Sequence, residues 1–168
     1  MSNKMKILQF RKLSGPNYWS LHPCIQMLLD IDDLEELPTN MIDGFYERFT
    51  EALPTIHDHR CSVGKAGGFF QRVEEGTWMG HVVEHTALEL QTLAGMDTGF
   101  GRTRETGDTG IYHVVYSYIV SEVGKRAGEL SVDLCEKLIR GNKYDLDVIV
   151  QELKELRERY KMGPSTSS

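Results

Sequence analysis

Five consecutive residues, His81-Val82-Val83-Glu84-His85, constrain this chain more than any other stretch. Thr77-Trp78-Met79-Gly80 precedes them, and Ala87, Leu88 and Leu90 follow, so the surround predicts a largely buried helix from Thr77 to Leu93. Residues four apart in a helix lie one turn above each other, and Glu84 falls on the same stripe three residues after His81. Two neutral imidazoles placed in this way reach one zinc ion together, while a carboxylate beside them can take a proton from water. The pattern alone leaves a structural reading open, because two histidines and a glutamate also meet on solvated helix faces. The apolar flanks favour the chemical reading, since buried imidazoles and a buried carboxylate need partners.

Around this helix the sequence predicts an α+β domain with a small, mostly antiparallel sheet and about four helices. Lys6-Ile7-Leu8-Gln9-Phe10 and Cys24-Ile25-Gln26-Met27-Leu28-Leu29 read as strands on either side of a turn-rich segment containing Gly15 and Pro16. Phe45, Phe49 and Leu53 suggest a short helix ending before Pro54, and the glycine-interrupted stretch from Cys61 to Val73 has no clear period. Gly99 to Gly107 reads as a loop, and Ile111 to Ile119 is aromatic and β-branched enough for the best strand of the chain. Ser121 is a candidate cap for a helix with its apolar stripe at Val123, Ala127, Leu130, Leu134 and Leu138, stopped at Gly141. A last helix buries Leu146, Ile149, Val150, Leu153, Leu156 and Tyr160. One domain over residues 1–162 is expected, with 163–168 as linker or the start of a following domain.

No window approaches the roughly 18 apolar residues of a membrane span, and Met1-Ser2-Asn3-Lys4-Met5 carries no apolar signal region. A soluble, cytoplasmic protein is expected, with Cys24, Cys61 and Cys135 as reduced thiols. The formal charge of −6 argues against a general nucleic-acid binder and suits a cationic or arginine-rich ligand.

The order H-x-x-E-H inverts the commoner zinc-protease motif and matches the inverzincin pattern. Arg102 and Arg104 flank a glycine-rich segment and are candidates to clamp a substrate carboxylate; pairing with Glu105 or a helix C-terminus is the structural alternative. Trp19, Tyr18 and Trp78 either cover the core or stack a ligand guanidinium. His57 and His59 sit on a polar loop as weak metal candidates, and His22 and His113 read as ordinary loop and strand residues. The acidic run Asp30, Asp32, Asp33, Glu35 and Glu36 is a solvated edge or an attractor of guanidinium groups.

Several blocks together carry a family resemblance: Gly15-Pro16-Asn17-Tyr18-Trp19-Ser20, Gly44-Phe45-Tyr46, Glu51-Ala52-Leu53-Pro54, Gly80-His81-Val82-Val83-Glu84-His85, Leu88-Glu89-Leu90-Gln91 and Gly99-Phe100-Gly101-Arg102-Thr103-Arg104-Glu105-Thr106. In this order they resemble the N-terminal domain of cyanophycin synthetase over nearly the whole chain. The resemblance implies binding of a polymer with a poly-aspartate backbone and arginine in isopeptide linkage to each side chain. It also implies zinc-dependent internal cutting of that polymer to make primers; a non-catalytic polymer-binding and assembly module is the alternative. The family's ATP-grasp and Mur-ligase-like domains, with their ATP and Mg2+, are absent from these residues, so no ligase activity is expected of this chain. They are expected as partners in a full-length enzyme that forms homo-oligomers, with no nucleic acid and no membrane. Carried over, His81 and His85 are zinc ligands and Glu84 the general base. Inverzincins take a third ligand from a glutamate on a later helix, which makes Glu122 the candidate here. The family has an acidic pair ahead of the glycine matching Gly124, whereas this chain has Ser121-Glu122. Glu89, one turn beyond His85, is the other candidate, as a ligand or as support behind one.

Overall fold

A computed structural model describes residues 4–59 and 65–166. In chain order the elements are β1 (Lys6–Leu13), β2 (Cys24–Asp30), α1 (Phe45–Ala52), α2 (Gly68–Glu75), α3 (Met79–Leu93), β3 (Gly101–Glu105), β4 (Ile111–Ser117), α4 (Ser121–Arg140) and α5 (Leu146–Thr166). Three 3-10 turns, Asp32–Glu36, Thr39–Met41 and Pro54–Asp58, lie on either side of α1. The strands form one antiparallel sheet in the order β1-β2-β4-β3. This is the expected α+β domain, with five helices among the described residues instead of about four.

Period-2 burial fixes which sheet face is covered. Ile25, Met27 and Leu29 of β2 and Tyr112, Val114 and Tyr116 of β4 are buried core residues. The helices α3 and α4 lie against the sheet. Tyr116 donates its hydroxyl to the Gly124 carbonyl at 2.8 Å, which seats α4 on the strand. A Cβ on Gly80 would meet Thr103 Cγ2 at 3.1 Å and Tyr112 Cγ at 3.4 Å, so a glycine lets α3 approach β3 and β4 closely. At the side of the sheet, Phe45, Phe49, Phe69 and Phe70 bring α1 and α2 together through stacked and edge-on rings. Gly141, with φ +70°, closes α4 in the left-handed conformation, as its position predicts.

Four local expectations change. The expected loop from Gly99 to Gly107 contains the edge strand β3, and the last expected strand stops at Ser117. Ser121 is the first residue of α4, not its cap, and its hydroxyl donates to Glu122 Oε2 at 2.5 Å. The helix α5 continues through Thr166, past Gly163 and Pro164. Cys24 and Cys135 are buried free thiols, and burial pushes the Cys135 thiol up to about 12; Cys61 lies outside the described residues. Among the described residues no helix is long and apolar enough to cross a membrane.

Candidate metal centre

His81, Glu84 and His85 each present one ligand atom, and these atoms lie within 4.8 Å of one another. Among the described residues no other His, Cys, Asp or Glu joins them at that spacing. The three sit in the first two turns of α3, where Met79, Gly80, Val82 and Val83 fix the rest of the helix in the core. His81 is half-buried, whereas Glu84 and His85 are only 5% and 4% exposed.

Neighbours hold each side chain in place. Thr77 Oγ1 lies 3.1 Å from His81 Nδ1, which leaves Nε2 of that ring for the cluster. Phe69 of α2 stacks on His85 with ring centroids 3.7 Å apart and an interplanar angle of 14°, and meets His81 edge-on. Thr103 of β3 donates its hydroxyl to Glu84 Oε1 at 2.9 Å and to the Gly80 carbonyl at 3.2 Å. Glu84 Oε2 lies 3.6 Å from His85 Nε2. A Cβ on Gly101 would sit 2.5 Å from that same Oε2, so glycine there makes room for the carboxylate.

Burial sets the proton affinities. It lowers the His81 pKa to about 4, with the positive Arg72 adding to the effect, and lowers that of His85 well below the usual imidazole value. Both rings are therefore neutral, as metal ligands must be. Burial raises Glu84 to about 7, against the opposing hydrogen bond from Thr103 and the charge of Arg102. A carboxyl at that position exchanges a proton close to neutral pH.

The cluster opens into a cavity of about 600 Å³ lined on one side by Thr77, Trp78 and Leu88 and on the other by Gly101, Arg102, Thr103 and Glu105. Arg72 and Tyr112 complete its walls. Two smaller depressions adjoin it. One shares Glu105 and Tyr112 and adds Glu35 and Asp108; the other shares Leu88 and Gly99 and adds Asp58, His59, Glu89 and Asp97. Trp78 Nε1 donates to the Glu35 carbonyl at 2.8 Å and the Tyr112 hydroxyl donates to Glu35 Oε2 at 2.6 Å, so one member of the acidic run braces the cavity wall.

Not every expected site residue comes together. Arg102 lines the cavity, but Arg104 lies over the Trp19 ring at 5.4 Å, and Trp19 in turn packs beside His113. Alternation along β3 puts both arginines on the face opposite Gly101, Thr103 and Glu105, so Arg102 reaches round the free sheet edge to enter the cavity, whereas Arg104 stays over Trp19. Glu122 stands apart from the histidines. It lines a separate pocket with Phe10, Arg11, Lys12 and Lys125, because α4 begins beside β1 and β2, two strands away from β3. Glu89 lies behind the cluster, accepting from the Thr55 hydroxyl and contacting His59 Nε2 at 3.1 Å. The residues that sequence reasoning missed, Phe69, Arg72 and Thr77, precede α3 or open it; the Phe69 and Arg72 helix falls in the stretch without a clear period.

An α+β domain with a buried His-Glu-His cluster on one helix defines the class to which the fold and site belong. The profile of the cyanophycin synthase-like N-terminal domain matches residues 26–140, and the chain belongs to that family. It is 52% identical to a cyanophycin synthetase of Geminocystis herdmanii (strain PCC 6308), 50% to one of Synechocystis sp. (strain ATCC 27184 / PCC 6803 / Kazusa) and 47% to one of Crocosphaera subtropica (strain ATCC 51142 / BH68). In each case 98% of this chain is aligned, and it spans only 19% of the relative's length.

Proposed function

We propose that this domain is a zinc-dependent hydrolase that cuts the aspartate-arginine polymer internally and so supplies primers to a cyanophycin synthetase. The observation that carries the reading is a buried His81-Glu84-His85 cluster at the base of a cavity that presents both signs of charge. The donors fit zinc: two neutral imidazoles and a carboxylate are borderline nitrogen and oxygen ligands of the right kind. His81 and His85 would hold the ion. When bound, zinc supplies a Lewis acid that makes water acidic near neutral pH.

The chain's own residues supply the rest. Glu84, with Thr103 occupying Oε1, has Oε2 free to accept a proton from water and return it to the leaving amine. Arg72 and Arg102 offer guanidinium groups to substrate carboxylates from two walls, while Glu105 and the adjoining acidic depressions suit guanidinium side chains on either side. A zwitterionic polymer matches that alternation. In the full-length enzyme, the ATP-grasp and Mur-ligase-like domains would be the covalent partners, ATP and Mg2+ would be confined to them, and copies would associate as homo-oligomers in the cytoplasm.

A second reading, a polymer-binding and assembly module without catalysis, is favoured by one observation: Glu122 lies elsewhere and no further ligand joins the cluster among the described residues. Metal analysis after dialysis separates the two. The hydrolase reading expects about one zinc per chain, lost in His81→Ala and kept in Glu84→Gln, whose release of soluble oligomers falls by roughly 10² or more. Zinc retained by His81→Ala, or equal release by Glu84→Gln, overturns it. A zinc-free chain that still sediments with the polymer establishes the second reading.

A further inference from the structure

Beside His85, along the adjoining depression that Thr55, His59 and Glu89 line, runs a chain of polar contacts that the hydrolytic reading does not use. His85 Nδ1 lies 3.0 Å from His59 Nδ1, His59 Nε2 lies 3.1 Å from Glu89 Oε1, and Thr55 donates its hydroxyl to Glu89 Oε2. His59 directly follows the 3-10 turn Pro54–Asp58, and Glu89 stands one turn after His85 on α3. Glu89 is 2% exposed, so its charge depends on the two donors that face it.

With Glu89 ionised and His59 neutral, the contacts run in one direction. An ionised carboxylate accepts and never donates, so His59 must donate from Nε2 to Glu89. A neutral imidazole has one N–H, which leaves His59 Nδ1 as an acceptor. The His85 ring must then carry its proton on Nδ1. Its other nitrogen, Nε2, is bare and is the atom that faces Glu84 across 3.6 Å in the cluster.

We propose that His59 is a positioning residue which, held by Glu89 and Thr55, fixes both the tautomer and the ring orientation of His85 so that a bare Nε2 faces the metal position. The proposal rests on the reading of His85 as a zinc ligand. Ligating histidines commonly pass their second N–H to a carboxylate, and removing that support typically weakens metal binding by about 10–100-fold. Here the carboxylate is one imidazole further away, so the link joins the loop after α1 to the catalytic helix. Phe69, stacked on the ring, restrains its tilt but cannot choose between its nitrogens.

The test uses the whole chain stripped of zinc and labelled with 15N in histidine, read by long-range 1H–15N correlation, with His85→Gln identifying the resonance. The parent is expected to show His85 protonated on Nδ1. In Glu89→Gln the amide can offer either a donor or an acceptor to His59, so the Nε2–H form of His85 should enter. Zinc affinity, measured by competition with a chromophoric chelator, should fall by about 10–100-fold in His59→Phe, which fills the space without accepting a proton. It should recover largely in His59→Asn, whose amide oxygen replaces Nδ1. An Nε2–H tautomer in the parent, or unchanged zinc affinity in His59→Phe, overturns the proposal. A parent that binds no zinc overturns the metal reading alone, and the dependence of the His85 tautomer on Glu89 then decides the relay by itself.

Discussion

At the scale of single residues, the cluster sets burial against protonation, and the balance has a sign that can be worked out. The folded state holds the His81 pKa at about 4 against an ordinary 6.5, and that of His85 is lowered too, so between those pH values the unfolded chain binds more protons. Their contribution to stability is present above pH 6.5 and is lost as the pH falls towards 4. Glu84 works in the other direction. Its pKa is raised from 4.5 to about 7, so its contribution is present in acid and lost as the pH rises through that window. Two imidazoles outweigh one carboxyl. The zinc-stripped chain should therefore lose denaturant resistance between pH 6.5 and 5, and His81→Gln with His85→Gln should flatten that part of the slope relative to the parent. An identical slope in the double variant would show that the histidines are not held neutral by burial.

Among the elements, what was legible in the sequence follows from how each one buries its residues. The helix α3 stood out because it is apolar around most of its circumference, leaving the two histidines and Glu84 conspicuous. The helix α4 was legible for its single apolar stripe. Strand β3 was hidden because an edge strand carries charges, and Arg102, Arg104 and Glu105 read as a loop. The helix α2 was hidden by the glycines at its start, and with it went Phe69 and Arg72. No local pattern marks His59, since its contact with His85 spans 26 positions of sequence. The position of Glu122 could not be read at all, because only the strand order reveals which end of the sheet α4 meets. Glu122→Ala should therefore leave zinc content unchanged, and zinc loss on dialysis of that variant would reinstate Glu122 as a ligand. Packing of α4 gives a second expectation. A Cβ on Gly128 would run into the Tyr116 hydroxyl and come within 2.7 Å of Met27 Cε, both buried. The helix-propensity gain of Gly128→Ala, about 1 kcal/mol, is outweighed by overpacking of about 1–3 kcal/mol, so the midpoint of unfolding should fall. A raised midpoint would mean that the sheet yields to α4.

For the whole molecule, the question is how a chain of formal charge −6 would hold a ligand that carries carboxylates as well as guanidinium groups. The answer lies in distribution. Arg72 and Arg102 line the central cavity, while Glu35, Glu105 and Asp108 stand at one end of the cleft and Asp58 and Asp97 at the other. A uniform polyanion meets repulsion at both ends; a polymer that alternates charge meets complementary groups along the cleft. Screening acts on all of these contacts, because at physiological ionic strength the Debye length is about 8 Å, comparable to the spacing of charges on such a surface. The fraction of chain that sediments with insoluble polymer should therefore fall as salt rises, and Arg72→Gln should weaken sedimentation further at every salt concentration. Duplex DNA offers phosphates alone, and the acidic ends oppose it, so retention on DNA at physiological salt should be far lower. Retention on DNA equal to that on the polymer would show that the arginines bind any anion and that the acidic depressions select nothing.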